Sequence, residues 1–202
     1  MSELSLIVGL GNVGREYSGT RHNVGFEVVE RVAQTLKARR LPPHLSFELA
    51  EAAIPGDAVI HRRIVLALPT THMNRSGFAV AELLEELAFT PQRMLVVVDD
   101  VDLPLGALRF RAGGSDGGHK GLYSIIERLE TEDFPRLRLG IGRPADNEET
   151  ADYVLSRFLS AEADQVKRMV ALAAEGVIFA ATHRLEEAMQ QFNTNPALPN
   201  PE

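Results

Sequence analysis

Apolar and polar positions divide the chain into short β-prone runs and longer stretches with a repeat near four. Runs at 4–8 (LSLIV), 64–68 (IVLAL), 94–98 (MLVVV), 107–111 (ALRFR) and 136–142 (RLRLGIG) each predict a strand. More polar segments around 45–62 predict a pair of edge strands. In 23–38, Val24, Val28, Val32 and Leu36 recur four apart, and in 76–89 Ala79, Leu83 and Leu87 do the same. That spacing puts one apolar stripe on each helix, to be laid on a sheet. GLYSIIERL (121–129) predicts a further helix, and beyond a charged, proline-containing linker at 143–150 the chain reads as helical to about residue 192. The alternation implies an α/β class, a single domain over 1–192 with a mixed twisted β-sheet flanked by helices and a helical C-terminal part. Residues 193–202, NTNPALPNPE, offer almost nothing to pack and are expected to form a disordered tail. No internal repeat is visible.

Composition narrows the chemistry. A length of 202 residues with 45% hydrophobic and 24% charged residues fits one globular domain. Neither a basic leader followed by an apolar stretch nor a run of ~18 apolar residues is present, so a soluble, cytoplasmic chain is expected. With no cysteine, thiolate metal sites, disulfides and a cysteine nucleophile are excluded. The net charge of −7 argues against non-specific coating of nucleic acid but leaves room for a local basic patch. The six histidines show no H-E-x-x-H or comparable spacing, and no metal is expected.

The stretch GLGNVG (9–14) matches the dinucleotide pattern G-x-G-x-x-G. In such a site a helix begins at once and offers its free N–H groups to the pyrophosphate. Here REYSGTRHN follows, and the helical pattern starts only near Asn23. Nor does an acidic residue end a second strand about 20 residues on, where a dinucleotide site needs one for the ribose. The stretch therefore reads as a tight turn that presents Asn12, followed by a loop carrying Tyr17, Arg21, His22 and Asn23. VVVDDVD places Asp99 at the end of the strongest strand, on the sheet edge where ligands bind in α/β folds. A carboxylate there would fix the tautomer of His22 and make it a general base, though spacing alone also allows a filler histidine. Asp100 and Asp102 are expected to cap a turn before Leu103–Pro104. In PTTHMNRSG (69–77), Asn74 fits either a helix cap or a donor to a developing oxyanion. RAGGSDGGHKGL (111–122) is a glycine-rich loop whose N–H groups could receive phosphate or carbonyl oxygens.

Taken together and in order, VGLGNVGREYSGTRHNVG, PTTHMNRSG, VVVDDVDLPLGALRFRAGGSDGGHKGL and RLRLGIGRP resemble the bacterial-type peptidyl-tRNA hydrolases, with VLSRFL and LEEAMQQFN extending the likeness over nearly the whole chain. The resemblance implies cleavage of the ester between a peptide and the 3′ ribose of tRNA. By position it implies His22 as the base that activates water, Asp99 as its supporting carboxylate and Asn12 on the peptide side. Tyr17, His72, Asn74 and Lys120 would take the substrate and tRNA 3′-end positions. It implies peptidyl-tRNA (acceptor stem, 3′ end and peptide) as the partner, with no cofactor, metal, membrane or obligate protein partner, and a monomer. Arg109, Arg111, Lys120, Arg136, Arg138 and Arg143 supply basic side chains for phosphate contact, with a solvated charged face as the plain reading of Arg109 and Arg136.

Four positions depart from the family pattern. Val13 stands where proline is usual, His72 where tyrosine or phenylalanine is usual, Val98 where histidine is common, and Lys120 where the family has asparagine. Lys120 is the serious departure, because an ammonium cannot accept hydrogen bonds as an amide carbonyl can. Two further readings follow: a non-catalytic RNA-binding relative, which Lys120 would suit, and a serine esterase in which GGSDG (113–117) supplies Ser115, with Asp152 and His183 behind it.

Overall fold

The three most apolar predicted strands lie side by side at the centre of a seven-stranded sheet. In this computed structural model, which describes residues 4–42, 44–54, 63–145 and 147–193, the strands are β1 (Leu6–Gly9), β2 (Arg39–Arg40), β3 (Phe47–Ala53), β4 (Arg63–Pro69), β5 (Met94–Asp100), β6 (Leu108–Arg111) and β7 (Arg136–Gly140). Their spatial order is β2-β3-β4-β1-β5-β7-β6. The inner four, β4, β1, β5 and β7, are mutually parallel, while β2, β3 and β6 run antiparallel to their neighbours. Parallel strands need helices on both faces, and the residues of β1 and β5 alternate accordingly. Ile7, Leu95 and Val97 face a core shared with α1 (Val24–Thr35), α5 (Ala163–Thr182) and α6 (Leu185–Phe192). Leu6, Val8, Val96 and Val98 face α2 (Ser76–Glu86) and α3 (Lys120–Leu129) on the other side. A short helix, α4 (Thr150–Leu155), lies between β7 and α5 in the chain.

Most of the predicted elements are present, and the differences have physical causes. The first of the polar pair is β3, which is flanked by the two-residue β2 and is therefore not the outermost strand; the second falls on residues 55–62, outside the described residues. β2 is two exposed arginines with no apolar pattern to announce it. β6 is a true edge, with Leu108 and Phe110 buried and Arg109 and Arg111 exposed. Asn193, counted with the tail, is bonded to the main chain of Phe110 through both its amide atoms (2.6 and 3.3 Å) and closes α6 onto β6. Residues 194–202 lie outside the described residues.

The glycines of 9–14 serve close packing. A Cβ on Gly9 would lie 2.5 Å from the carbonyl oxygen of Gly25, and one on Gly25 would lie 2.4 Å from that of Val97. Only glycine at both positions lets the first turn of α1 sit directly on the ends of β1 and β5. The chain between them forms two single turns of 3-10 helix, Arg15–Tyr17 and Arg21–Asn23, before α1 starts at Val24. No α-helix begins directly after Gly14: α1 starts ten residues on, at Val24, close to the Asn23 that the sequence implied.

Candidate active site

Because β4, β1 and β5 are parallel, the segments that follow them emerge on one edge of the sheet. Asn12 follows β1, His72 and Asn74 follow β4, and Asp99 is the penultimate residue of β5, which ends at Asp100. They line one open cavity of about 840 Å³ together with His22, Asp100, Asp116, His119, Lys120, Arg138 and the α4 residues Thr150, Ala151, Val154 and Leu155.

His22 and Asp99 meet there. Nδ1 of His22 lies 2.8 Å from Oδ1 of Asp99, and both side chains are almost fully buried. The same carboxylate oxygen lies 3.0 Å from Nε2 of His119. Nδ1 of His119 accepts from the N–H groups of Gly121 and Leu122, capping α3. A nitrogen that accepts carries no proton, so Nε2 of His119 is the protonated one and donates to Asp99. Both nitrogens of His119 are therefore committed, and the His22–Asp99–His119 group presents a hydrogen-bonded carboxylate, not a set of lone pairs for a cation. Burial by itself would raise the Asp99 carboxyl; the two neighbouring imidazoles, by charge and by hydrogen bonding, outweigh it and hold the group well below the ordinary carboxylate range. An ionised Asp99 takes the Nδ1 proton of His22 as a hydrogen bond and leaves Nε2 with its lone pair for the cavity.

The turn that carries His22 is pinned from behind. Arg21 is buried, its guanidinium 2.8 Å from Glu162 and stacked over Tyr153 (4.4 Å) and Phe158 (4.7 Å). Its main-chain N–H donates to Ser156, and Asn23 exchanges hydrogen bonds with the main chain of Asn12. The wall formed by α4 and the histidine-bearing turn are thus one packed unit. The side-chain oxygen of Asn12 accepts from the N–H of Met73 at 3.1 Å, and no described residue accepts from its Nδ2, which remains as a donor.

Several expectations are corrected. Asn74 does not cap α2; it sits just before it, in a single 3-10 turn (Met73–Arg75), exposed on the cavity wall, and the residue before α2 is Arg75 with no side-chain cap. Tyr17 and Arg111 do not line the cavity: Tyr17 ends the first 3-10 turn and Arg111 sits exposed on β6 opposite Arg136. Arg136 is no phosphate contact or solvated face. It is 1% exposed, lies 4.2 Å over the ring of Phe134, and donates to the carbonyls of Gly114, Ser115, Glu132 and Phe134. Burial and the Arg138 guanidinium push it down to about 10, so it stays charged at neutral pH. Arg138 reaches the cavity but is occupied by Asp100 (3.1 Å) and the carbonyl of Ser115 (2.9 Å). Asp100 caps its turn by accepting from Asp102 N–H, whereas the Asp102 side chain pairs with Arg143 instead. The glycine-rich loop spends the N–H groups of Gly118 and His119 on its own Asp116 and that of Gly114 on the carbonyl of Glu132. The serine triad does not assemble: His183 stacks on Phe179 at 3.8 Å and contacts Thr182, and among the described residues nothing bonds the Ser115 hydroxyl. His119 is the residue that sequence reasoning missed; its one signal was a histidine immediately before a helix, in a helix-capping position.

The sequence model of the family described as peptidyl-tRNA hydrolase matches residues 6–200. This chain belongs to the peptidyl-tRNA hydrolase family. The peptidyl-tRNA hydrolase of Aquifex aeolicus is 43% identical over 191 residues, covering 95% of this chain and 97% of its own length. That of Methylacidiphilum infernorum is 47% identical over 170 residues, 84% of this chain and 87% of its own. The crystal structure of peptidyl-tRNA hydrolase from Acinetobacter baumannii matches with a TM-score of 0.87 at 34% identity, covering 96% of this chain and 97% of that one. The mixed sheet and its helical cover are therefore those of the peptidyl-tRNA hydrolase family.

Proposed function

We propose that this chain hydrolyses the ester between a peptide and the 3′-terminal ribose of tRNA, with His22 as general base. The observation that carries the reading is the buried His22–Asp99 pair at 2.8 Å, opening on a cavity with amide donors on its walls. A water in the cavity attacks the ester carbonyl carbon while its proton passes to Nε2 of His22. Asp99, held ionised, stabilises the imidazolium that forms. The amide of Asn74 donates to the developing oxyanion, a contact whose loss typically costs about 10²–10³ in rate. The bond to the ribose oxygen then breaks, the imidazolium returns its proton to that oxygen, and a free tRNA 3′-hydroxyl leaves together with the peptide carboxylic acid, which gives up its proton to solvent as the carboxylate. An ester needs no metal or covalent nucleophile for this.

Asn12 Nδ2 donates to a peptide carbonyl and selects blocked over free aminoacyl-tRNA, a role supported by its having no acceptor among the described residues while its oxygen is taken by Met73, since a donor buried by substrate and left unpaired is costly. Lys120, exposed on the cavity rim, fits a tRNA phosphate in place of the amide that the family resemblance led us to expect. Incubation of the purified chain with N-acetylated and free aminoacyl-tRNA is the test. Release of the acetylated amino acid alone is expected; tRNA binding without cleavage would overturn the reading in favour of a non-catalytic RNA binder.

A further inference from the structure

Two aromatic side chains stand unburied on the outer face of the α2–α3 layer. Phe78 and Tyr123 are each 56% exposed. The guanidinium of Arg128 lies 5.1 Å from the centre of the Phe78 ring and that of Arg75 lies 5.9 Å from it, so the ring is flanked by two cations. Arg75, Arg128 and Lys120 form no ion pair with any described residue, although Arg21, Arg39, Arg63, Arg138, Arg143 and Arg184 all do. In a chain of net charge −7, Arg75 and Arg128 against the half-exposed Phe78 ring, with Tyr123 and Lys120 three residues apart on α3, form a local surface of aromatic rings and unpaired cations.

This surface lies about one turn along the chain from two residues of the cavity wall. Asn74 and Lys120 line the cavity, Phe78 follows Asn74 by one helical turn, and Tyr123 follows Lys120 by three residues. The two helices touch where Gly77 meets Ser124, whose hydroxyl accepts from the Gly77 N–H at 3.0 Å, and Phe78 and Tyr123 are the residues beside that crossing. The carboxylates of α2, Glu82, Glu85 and Glu86, lie in its last two turns, away from the cavity, and Glu127 lies one turn beyond Tyr123.

We propose that Phe78, Tyr123, Arg75 and Arg128 form a stacking platform for the unpaired 3′ nucleotides of the substrate tRNA, upstream of the ester. This rests on the hydrolase reading above. Aromatic faces next to unpaired cations are the way single-stranded RNA is held without sequence readout, and a site that must accept every tRNA needs that tolerance. A protein partner would place apolar area at the patch centre; here the centre is glycine and serine, buried at the helix crossing, with charge on either side.

The test measures kcat and KM for N-acetylaminoacyl-tRNA and for the same acyl group esterified to adenosine alone. Phe78→Leu and Tyr123→Leu remove the π-faces but keep apolar bulk; Phe78→Tyr and Tyr123→Phe keep the faces. Each Leu variant is expected to raise KM for the tRNA substrate roughly tenfold at unchanged kcat, leave the adenosine ester untouched, and be rescued by its aromatic counterpart. Arg75→Gln and Arg128→Gln are expected each to lower the slope of log affinity against log salt by about 0.7. An unchanged tRNA KM in the double Leu variant, or an equal loss on the adenosine ester, would overturn the platform, and the first result would give the patch to a protein partner. Should the unaltered chain prove inactive, anisotropy with labelled tRNA and the same variants tests the platform separately from the hydrolase reading.

Discussion

At the scale of single residues, the site's electrostatics converge on one oxygen, Oδ1 of Asp99, which takes hydrogen bonds from His22 and His119. Asp99→Asn offers an amide in place of the carboxylate and should lower the hydrolysis rate by about 10²–10⁴ with tRNA affinity retained, as single-turnover kinetics will read. The same group ties stability to pH. Its folded pKa is depressed, so its stabilisation is fully present above the unfolded carboxyl value of about 3.9 and is lost as pH falls below it. Urea titrations between pH 5 and about 2 should show a steeper loss of stability in the unaltered chain than in Asp99→Asn. Arg136 is the second residue with a defined role, since four carbonyls depend on its one planar guanidinium. Lys offers three donors without that fork, and Arg136→Lys should destabilise the fold by about 3 kcal/mol in urea unfolding. The pairing of His22 with Asp99 was legible because both follow or end strands at the binding edge. Arg136 was misread because an arginine on a short strand looks the same in sequence whether it faces solvent or a ring of carbonyls.

Among the elements, strands were the easiest to read, since burial on both faces leaves unbroken apolar runs in β1, β4 and β5. Helix starts were less legible. Asn74 had the chemistry of a cap, yet it lies inside a 3-10 turn that precedes the start of α2, at Ser76, and that leaves the asparagine on the cavity wall. His119 was hidden for the converse reason, being a cap of α3 made by a residue type seldom read as one. Helix ends carry a strain the sequence does not announce: α1 and α2 are followed by Lys37 (φ 50°) and Ala88 (φ 52°), in the left-handed conformation that glycine adopts freely. At the end of α2 the Phe89 N–H returns to the Leu84 carbonyl across Ala88, a Schellman closure. Ala88→Gly relieves the Cβ penalty and should stabilise the chain by about 1 kcal/mol, measured as a shift in urea midpoint at constant slope.

Across the whole molecule, the glycine contacts at Gly9 and Gly25, the buried Arg21–Glu162 pair and the Arg136 anchor act on one object, the cavity at the carboxyl edge of the sheet. The first seats the His22 turn against β5, the second ties it to the α4 wall, and the third fixes the loop that carries His119. The collinear motifs made the fold and the cavity's main residues legible; the supports were not, because Arg21 and Glu162 lie 141 positions apart and only the packed chain brings them together. Catalysis by the His22–Asp99 pair is tested most directly by single-turnover cleavage of N-acetylaminoacyl-tRNA by His22→Ala, with tRNA affinity measured in parallel. The expected outcome is a fall in rate of about 10²–10⁴ with affinity within about twofold of the unaltered chain. A rate that survives the substitution would remove His22 as the base and overturn the mechanism at its centre.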